Sequence, residues 1–151
     1  MSDRGQATLF GRVGWLIVLV VSALLVVYGV TWFFVGPETA LENIAERTTL
    51  GPEAFREGNP SALDVIGIVT RQGAVFMAGL GLATLASSWH GFRTGSTAAW
   101  RAAWILPLTI TAYCAGILLS APGAVVQALA YFIVAVVAAI GLAVAYRRRP
   151  S

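Results

Sequence analysis

Four apolar runs dominate the chain, each about twenty residues or longer, and most polar residues fall between them. A helix gains about 1.5 Å per residue and a bilayer core is about 30 Å thick, so runs of this length match one crossing each. The pattern predicts membrane-spanning helices over about 13–35, 62–89, 97–120 and 124–146. Only helices satisfy their own backbone groups segment by segment in lipid. The expected fold is therefore all-α: a four-transmembrane-helix bundle forming a single integral membrane domain over 1–151.

The punctuation between the runs supports these limits. Trp15 marks one edge of the first helix and Trp32, Phe33 and Phe34 the other, as interfacial aromatics do. The first run carries no small-residue cleavage pattern and is read as a retained helix. Gly36-Pro37 ends it and opens the one sizeable loop, 37–61. There Leu41, Ile44, Ala45 and Thr48 recur at helical spacing opposite Glu38, Glu42 and Glu46, which predicts a short amphipathic helix starting at Pro37. A second turn is expected from Pro52 through Phe55. The loop is either a connector resting on the membrane surface or a lid over an opening between helices. Trp89 to Ser96 reads as a tight polar turn, Pro107 as a kink in the third helix, and Ala121-Pro122-Gly123 as a minimal turn. Gly79, Ala83 and Ser87 form one small-xxx-small stripe and Ala74 and Ala78 another, both suited to close helix packing or to self-association.

Charge fixes an orientation. All ten basic residues are arginine. Arg4, Arg12, Arg93, Arg101, Arg147, Arg148 and Arg149 fall on one side of the predicted bundle, and only Arg47 and Arg56 on the other. The positive-inside rule then puts both termini in the cytoplasm and the acidic loop 37–61 outside, in a multi-pass protein of the cell membrane. Trp89, Arg93, Trp100, Arg101 and Trp104, with Arg147, Arg148 and Arg149, are expected to anchor the cytoplasmic edge among anionic headgroups. Arginine placed at membrane edges, despite a net charge of +3, argues against nucleic acid as a partner. Arginine without lysine, with heavy Ala, Gly and Val usage, suggests a GC-rich prokaryotic genome.

Candidate chemistry is sparse. Cys114 stands alone, which excludes an internal disulfide and a CxxC motif, and is read as a packing residue. His90 stands alone and is read as interfacial. No metalloprotease, hydrolase, phosphate-loop or dinucleotide motif is present. Arg71 is the conspicuous residue. It lies inside the second run, by these limits about 10 Å below the outer interface, where a charge is expensive and needs a partner. Tyr28, Tyr113, Gln127 and Tyr131 fall at similar depth on the other three helices, and Asp64 lies two turns away on the same helical face. Arg71 is either a structural tie, snorkelling outward or paired with Asp64, or the charged floor of an outward-facing pocket.

R-Q-G at 71–73, G-L-G-L at 79–82, F-R-T-G-S-T-A-A-W at 92–100 and W-I-L-P at 104–107 resemble a pattern of small four-helix membrane proteins of the DoxX-like type. The resemblance covers about a quarter of the chain. It implies a four-helix bundle, and it carries no catalytic residues across. The expected function is a non-enzymatic accessory, assembly or lipid-contacting subunit without metal or cofactor, partnered by membrane lipids, by other membrane protein subunits, or by its own copies through Gly79, Ala83 and Ser87. The alternative is a small-molecule or lipid carrier with an outer-leaflet pocket around Arg71.

Overall fold

The computed structural model describes residues 3–45, 53, 57, 61–94, 96–120 and 124–146. Among the described residues the longer helices follow in order: α1 (Asp3–Phe34), α2 (Pro37–Ala45), α3 (Ala62–Thr94), α4 (Thr97–Ala103), α5 (Ile105–Ser120) and α6 (Val125–Tyr146). Among the described residues there is no strand. Four segments are long and apolar enough to cross a membrane: Gly11–Phe34, Leu63–Thr94, Thr97–Leu119 and Val125–Tyr146. Their outward faces are apolar; Phe34 and Phe76 are each 79% exposed and Leu119 85%. In water such a surface would be an aggregation hazard. Against lipid it is the solvated face.

α1 is the central helix. It packs along α3 on one side and α6 on the other, α5 packs mainly on α6, and α3 and α5 barely meet. Glycine sets both close approaches. A Cβ on Gly29 would lie 2.5 Å from the Ala78 nitrogen and 2.7 Å from the Ala74 carbonyl, and one on Gly14 would lie 2.5 Å from the Gly141 carbonyl. Gly81 returns the contact against the backbone of Ser22 and Val26. Without these side chains, backbones approach closely enough to gain dispersion contacts that lipid cannot match. The Ala74–Ala78 stripe is thus a packing surface inside the chain. The Gly79–Ala83–Ser87 stripe is not: Gly79 and Ala83 are exposed, and no atom would meet a Cβ on Gly79.

The core runs through Trp15, Val18, Val21, Ala99, Ala103, Leu106, Ile110, Cys114, Ala135, Ala138 and Leu142. Cys114 packs within it, as expected of a small apolar side chain. Ser22, Thr84 and Ser88 are also buried, on the Thr94 side of the middle, where the sequence suggests an almost wholly apolar interior. Ser22 and Thr84 close their hydroxyls on carbonyls of their own helices, Val18 at 2.8 Å and Leu80 at 2.8 Å. That intrahelical bonding makes them acceptable in the core.

Several limits differ from expectation. α1 begins at Asp3 rather than Val13; the polar head contains no proline to stop it. α3 continues through the predicted 89–96 turn as far as Thr94, capped by the Thr94 hydroxyl on the His90 carbonyl at 2.8 Å. The third span is two helices, not one kinked helix. The break falls at Trp104, where its nitrogen turns to the Arg101 carbonyl at 3.3 Å. Pro107 explains the position: its ring clashes with the carbonyl four residues earlier, at Ala103, and it has no N–H to donate there. α2 starts at Pro37 as predicted, with Ala40 and Leu41 buried and Glu38 and Glu42 exposed. The second turn expected at Pro52–Phe55 falls outside the described residues apart from Glu53, which is exposed.

Replacing Gly29 with Val should lower stability by about 1–3 kcal/mol through overpacking, while Gly79→Ala should leave it unchanged or slightly higher. Thermal unfolding of the two variants in mild detergent, followed by tryptophan fluorescence, checks the contrast.

Candidate functional site

The antiparallel register fixes depth. Gly29 faces Ala74 and Ala78, so carrying the pairing five residues toward the α2 end sets Phe34 level with Arg71. The Tyr28–Tyr131 contact sets Phe34 level with Val125, where α6 begins. Arg71 therefore stands at the rim of the bundle, level with the ends of α1 and α6, not about 10 Å below it. α3 alone continues beyond, for the nine residues from Ala62 to Thr70, about 14 Å of helix. The apolar run of Val65 to Val69 made this overhang read as embedded. α2 covers one face of it, with the Pro37 ring close to Gly67, while Val65, Ile68 and Val69 stay exposed.

Arg71 is exposed, and among the described residues it has no hydrogen-bond or ion-pair partner. Asp64 is exposed as well, and no ion pair joins them. The tie expected between these two residues is absent, and neither lines the cleft described below.

The other four expected residues do come together. Tyr28 on α1 and Tyr131 on α6 meet hydroxyl to hydroxyl at 2.5 Å. Gln127, one turn before Tyr131, donates its Nε2 hydrogen to the Tyr131 oxygen at 3.5 Å. Tyr113 on α5 packs edge-on against the Tyr131 ring, centroids 5.3 Å apart, and Trp32 lies 5.9 Å from Tyr28. The Gln127 Oε1 atom is buried with no hydrogen-bond partner.

This cluster divides a cleft into two connected parts. The outer part, about 260 Å³, lies between the cluster and α2; Ala40 roofs it and Thr70, Gly73 and Ala74 form its α3 wall. The deeper part, about 420 Å³, is walled by Leu24, Leu25, Val27, Leu80, Ile110 and Val134. Both share Tyr28, Trp32, Met77 and Tyr113. Among the described residues, no charged side chain lines either part. Met77, Ala40 and Thr70 were not singled out from the sequence, and Trp32 only as an interfacial marker. Trp32 carries a usable signal, one turn after Tyr28 on the same face. Ala40 does not, because its place depends on how α2 folds back.

No family model, curated protein or solved structure matches the chain. The DoxX-like resemblance accordingly rests on its short motifs alone.

At the opposite end the expected anchor separates into two groups. Arg12, Arg93, Arg101 and His90 are exposed, and Trp89, 53% exposed, stacks on Phe92. Trp100 and Trp104 instead turn inward against the core. Trp100 donates its indole N–H to the Leu142 carbonyl at 2.9 Å and lies 4.6 Å from the Tyr146 ring, clipping α4 to α6. Arg147, Arg148 and Arg149 fall outside the described residues. Among the described residues no His, Cys, Asp and Glu cluster could hold a metal ion.

Tyr28→Phe and Tyr131→Phe should each cost about 1 kcal/mol, and the double variant clearly less than the sum, because either change alone already breaks the hydroxyl pair. A double-mutant cycle on unfolding midpoints measures that coupling.

Proposed function

We propose that this protein is a small four-span membrane protein that binds an apolar or amphipathic small molecule in the cleft roofed by α2. One observation carries the reading: all four spans contribute to a single cleft, and the polar side chains there converge on the Tyr28–Tyr131–Gln127 cluster. Sites for small ligands are commonly about 300–1,000 Å³, mostly apolar, with a few convergent polar groups. The deeper part, at about 420 Å³, is of that size and character. This is the carrier or binding alternative with one change, that Arg71 stands outside the pocket and acts at the rim.

The orientation follows the arginines: the end with Arg12, Arg93 and Arg101 faces the cytoplasm, and α2 lies on the extracytoplasmic side as an amphipathic roof. The DoxX-like resemblance is compatible with this architecture. The accessory-subunit reading keeps one specific support, the exposed and uncrowded Gly79–Ala83 strip, which suits contact with a second copy or another subunit.

Gly73 provides a clean test. It lines the outer cleft, and nothing lies within 4 Å of a Cβ built there. Gly73→Phe should fill the mouth without strain, and it should hold or raise the unfolding temperature, since Gly in a helix is worth about 1 kcal/mol less than Ala. Native mass spectrometry from mild detergent should show a discrete bound mass on the unaltered protein and none on the variant. The same bulk lipid on both would overturn the cleft reading, and the copy number in the same spectra reads the subunit reading. For orientation, in a Cys114→Ala background, Glu38→Cys should react with an impermeant maleimide on intact cells, and Arg93→Cys only after lysis.

A further inference from the structure

We infer that the cleft selects an uncharged amphiphile, a hydroxyl head on one long apolar chain, taken sideways from the surrounding lipid. This presupposes that the cleft is a binding site, the reading given above, and adds the chemistry of the head.

Charge is the first selector. Among the described residues, neither part of the cleft presents a basic or acidic side chain. An ionised carboxylate, phosphate or amine brought there would be desolvated with no counter-charge, at a cost of several kcal/mol. Arg71, adjacent in sequence to the lining residue Thr70, is exposed and lines neither part of the cleft. The lone arginine that suggests an anionic ligand in the sequence is therefore outside the pocket that would hold one.

The Gln127 amide is the second selector. Its Nε2 serves Tyr131, and its Oε1 is buried and unpaired. Exchanging the two ends of the amide does not remove the deficit, because the carbonyl would then accept from Tyr131 and the amino group would be left over. A buried polar group without a partner costs about 1–3 kcal/mol. The last side-chain torsion of Gln is broad, so the amide turns toward the cleft at little cost. A hydroxyl donates and accepts, and satisfies whichever end is offered. An ether only accepts, and an alkane does neither.

The chain and its route come from the deeper walls. Leu25, Leu80 and Ile110 form an apolar slot beyond the tyrosines. Leu24 lines that slot, is 62% exposed, and also borders a shallow groove between α1 and α6 that includes Val20 and Ile133. The slot is thus continuous with the outer surface of the bundle, where lipid chains lie. A membrane-dissolved molecule reaches it without crossing water.

The test uses the full chain in phosphatidylcholine nanodiscs with a diazirine-bearing long-chain fatty alcohol as probe. Irradiation and peptide mapping read labelling of the α3, α5 and α6 peptides that carry Leu80, Ile110 and Tyr131. The unlabelled alcohol, its methyl ether and the matching carboxylate then compete. The expected result is competition about three- to tenfold weaker for the ether, the range of one neutral hydrogen bond, and weaker still for the carboxylate. Gln127→Leu should remove the alcohol's advantage over the ether while labelling persists. Competition by the ether or the carboxylate equal to that of the alcohol overturns the head-group selectivity and leaves the cleft standing as a site. Labelling absent, or identical in wild type and Gly73→Phe, overturns the cleft reading itself. The competitor series on the unaltered chain decides the matter even if Gln127→Leu does not fold.

Discussion

The close approach of α1 to its two neighbours is the constraint on which the rest depends. Gly14 against Gly141, and Gly29 against Ala74 and Ala78, bring backbones to a separation that a single added carbon would forbid. In lipid no hydrophobic force holds helices together, since the tails outside are as apolar as the side chains within, so such contacts carry much of the association energy. They also fix the register, and with it the depth of every polar residue in the bundle.

The cleft is what remains once those contacts are made. α1 takes α3 and α6 as tight partners and leaves α5 leaning on α6 alone, hardly touching α3. The space so opened is finished by large side chains rather than by backbone contact, which is why three tyrosines, a tryptophan and a methionine line it. Uncharged hydroxyl and amide groups are what such a place tolerates, because each can be paired locally while a charge would need a counter-ion.

The spans were legible because lipid imposes one rule on every residue of a crossing helix, so length and apolarity alone locate Gly11–Phe34 and Val125–Tyr146 within a few residues of expectation. The convergence of Tyr28, Tyr113, Gln127 and Tyr131 was legible by counting from helix ends, since four antiparallel rods of known rise share a depth scale. Arg71 was misplaced for the same reason: α3 is longer than the bundle, and hydropathy cannot distinguish a run buried in lipid from one covered on one face by α2. The division at Trp104 was half legible. Pro107 announces a disturbance, but its steric effect falls four residues upstream. The roof over the cleft was not legible, because Ala40 reaches it only through a fold-back that no local pattern encodes.

The neighbour relations also dictate an order of assembly during synthesis. Of the four spans, α1 and α3 emerge before the other two, and each is the other's tightest partner, so they can pair as a hairpin before the rest is made. α4 follows packed on α3, while α5 continues with few contacts of its own until its main partner, α6, is made. The final span then closes two interfaces at once, joining α1 through Gly141 and gathering α5 from the lipid. A chain cut short before α6 would keep its hairpin and lose its cleft, so the fourth of these spans is the one that completes the bundle.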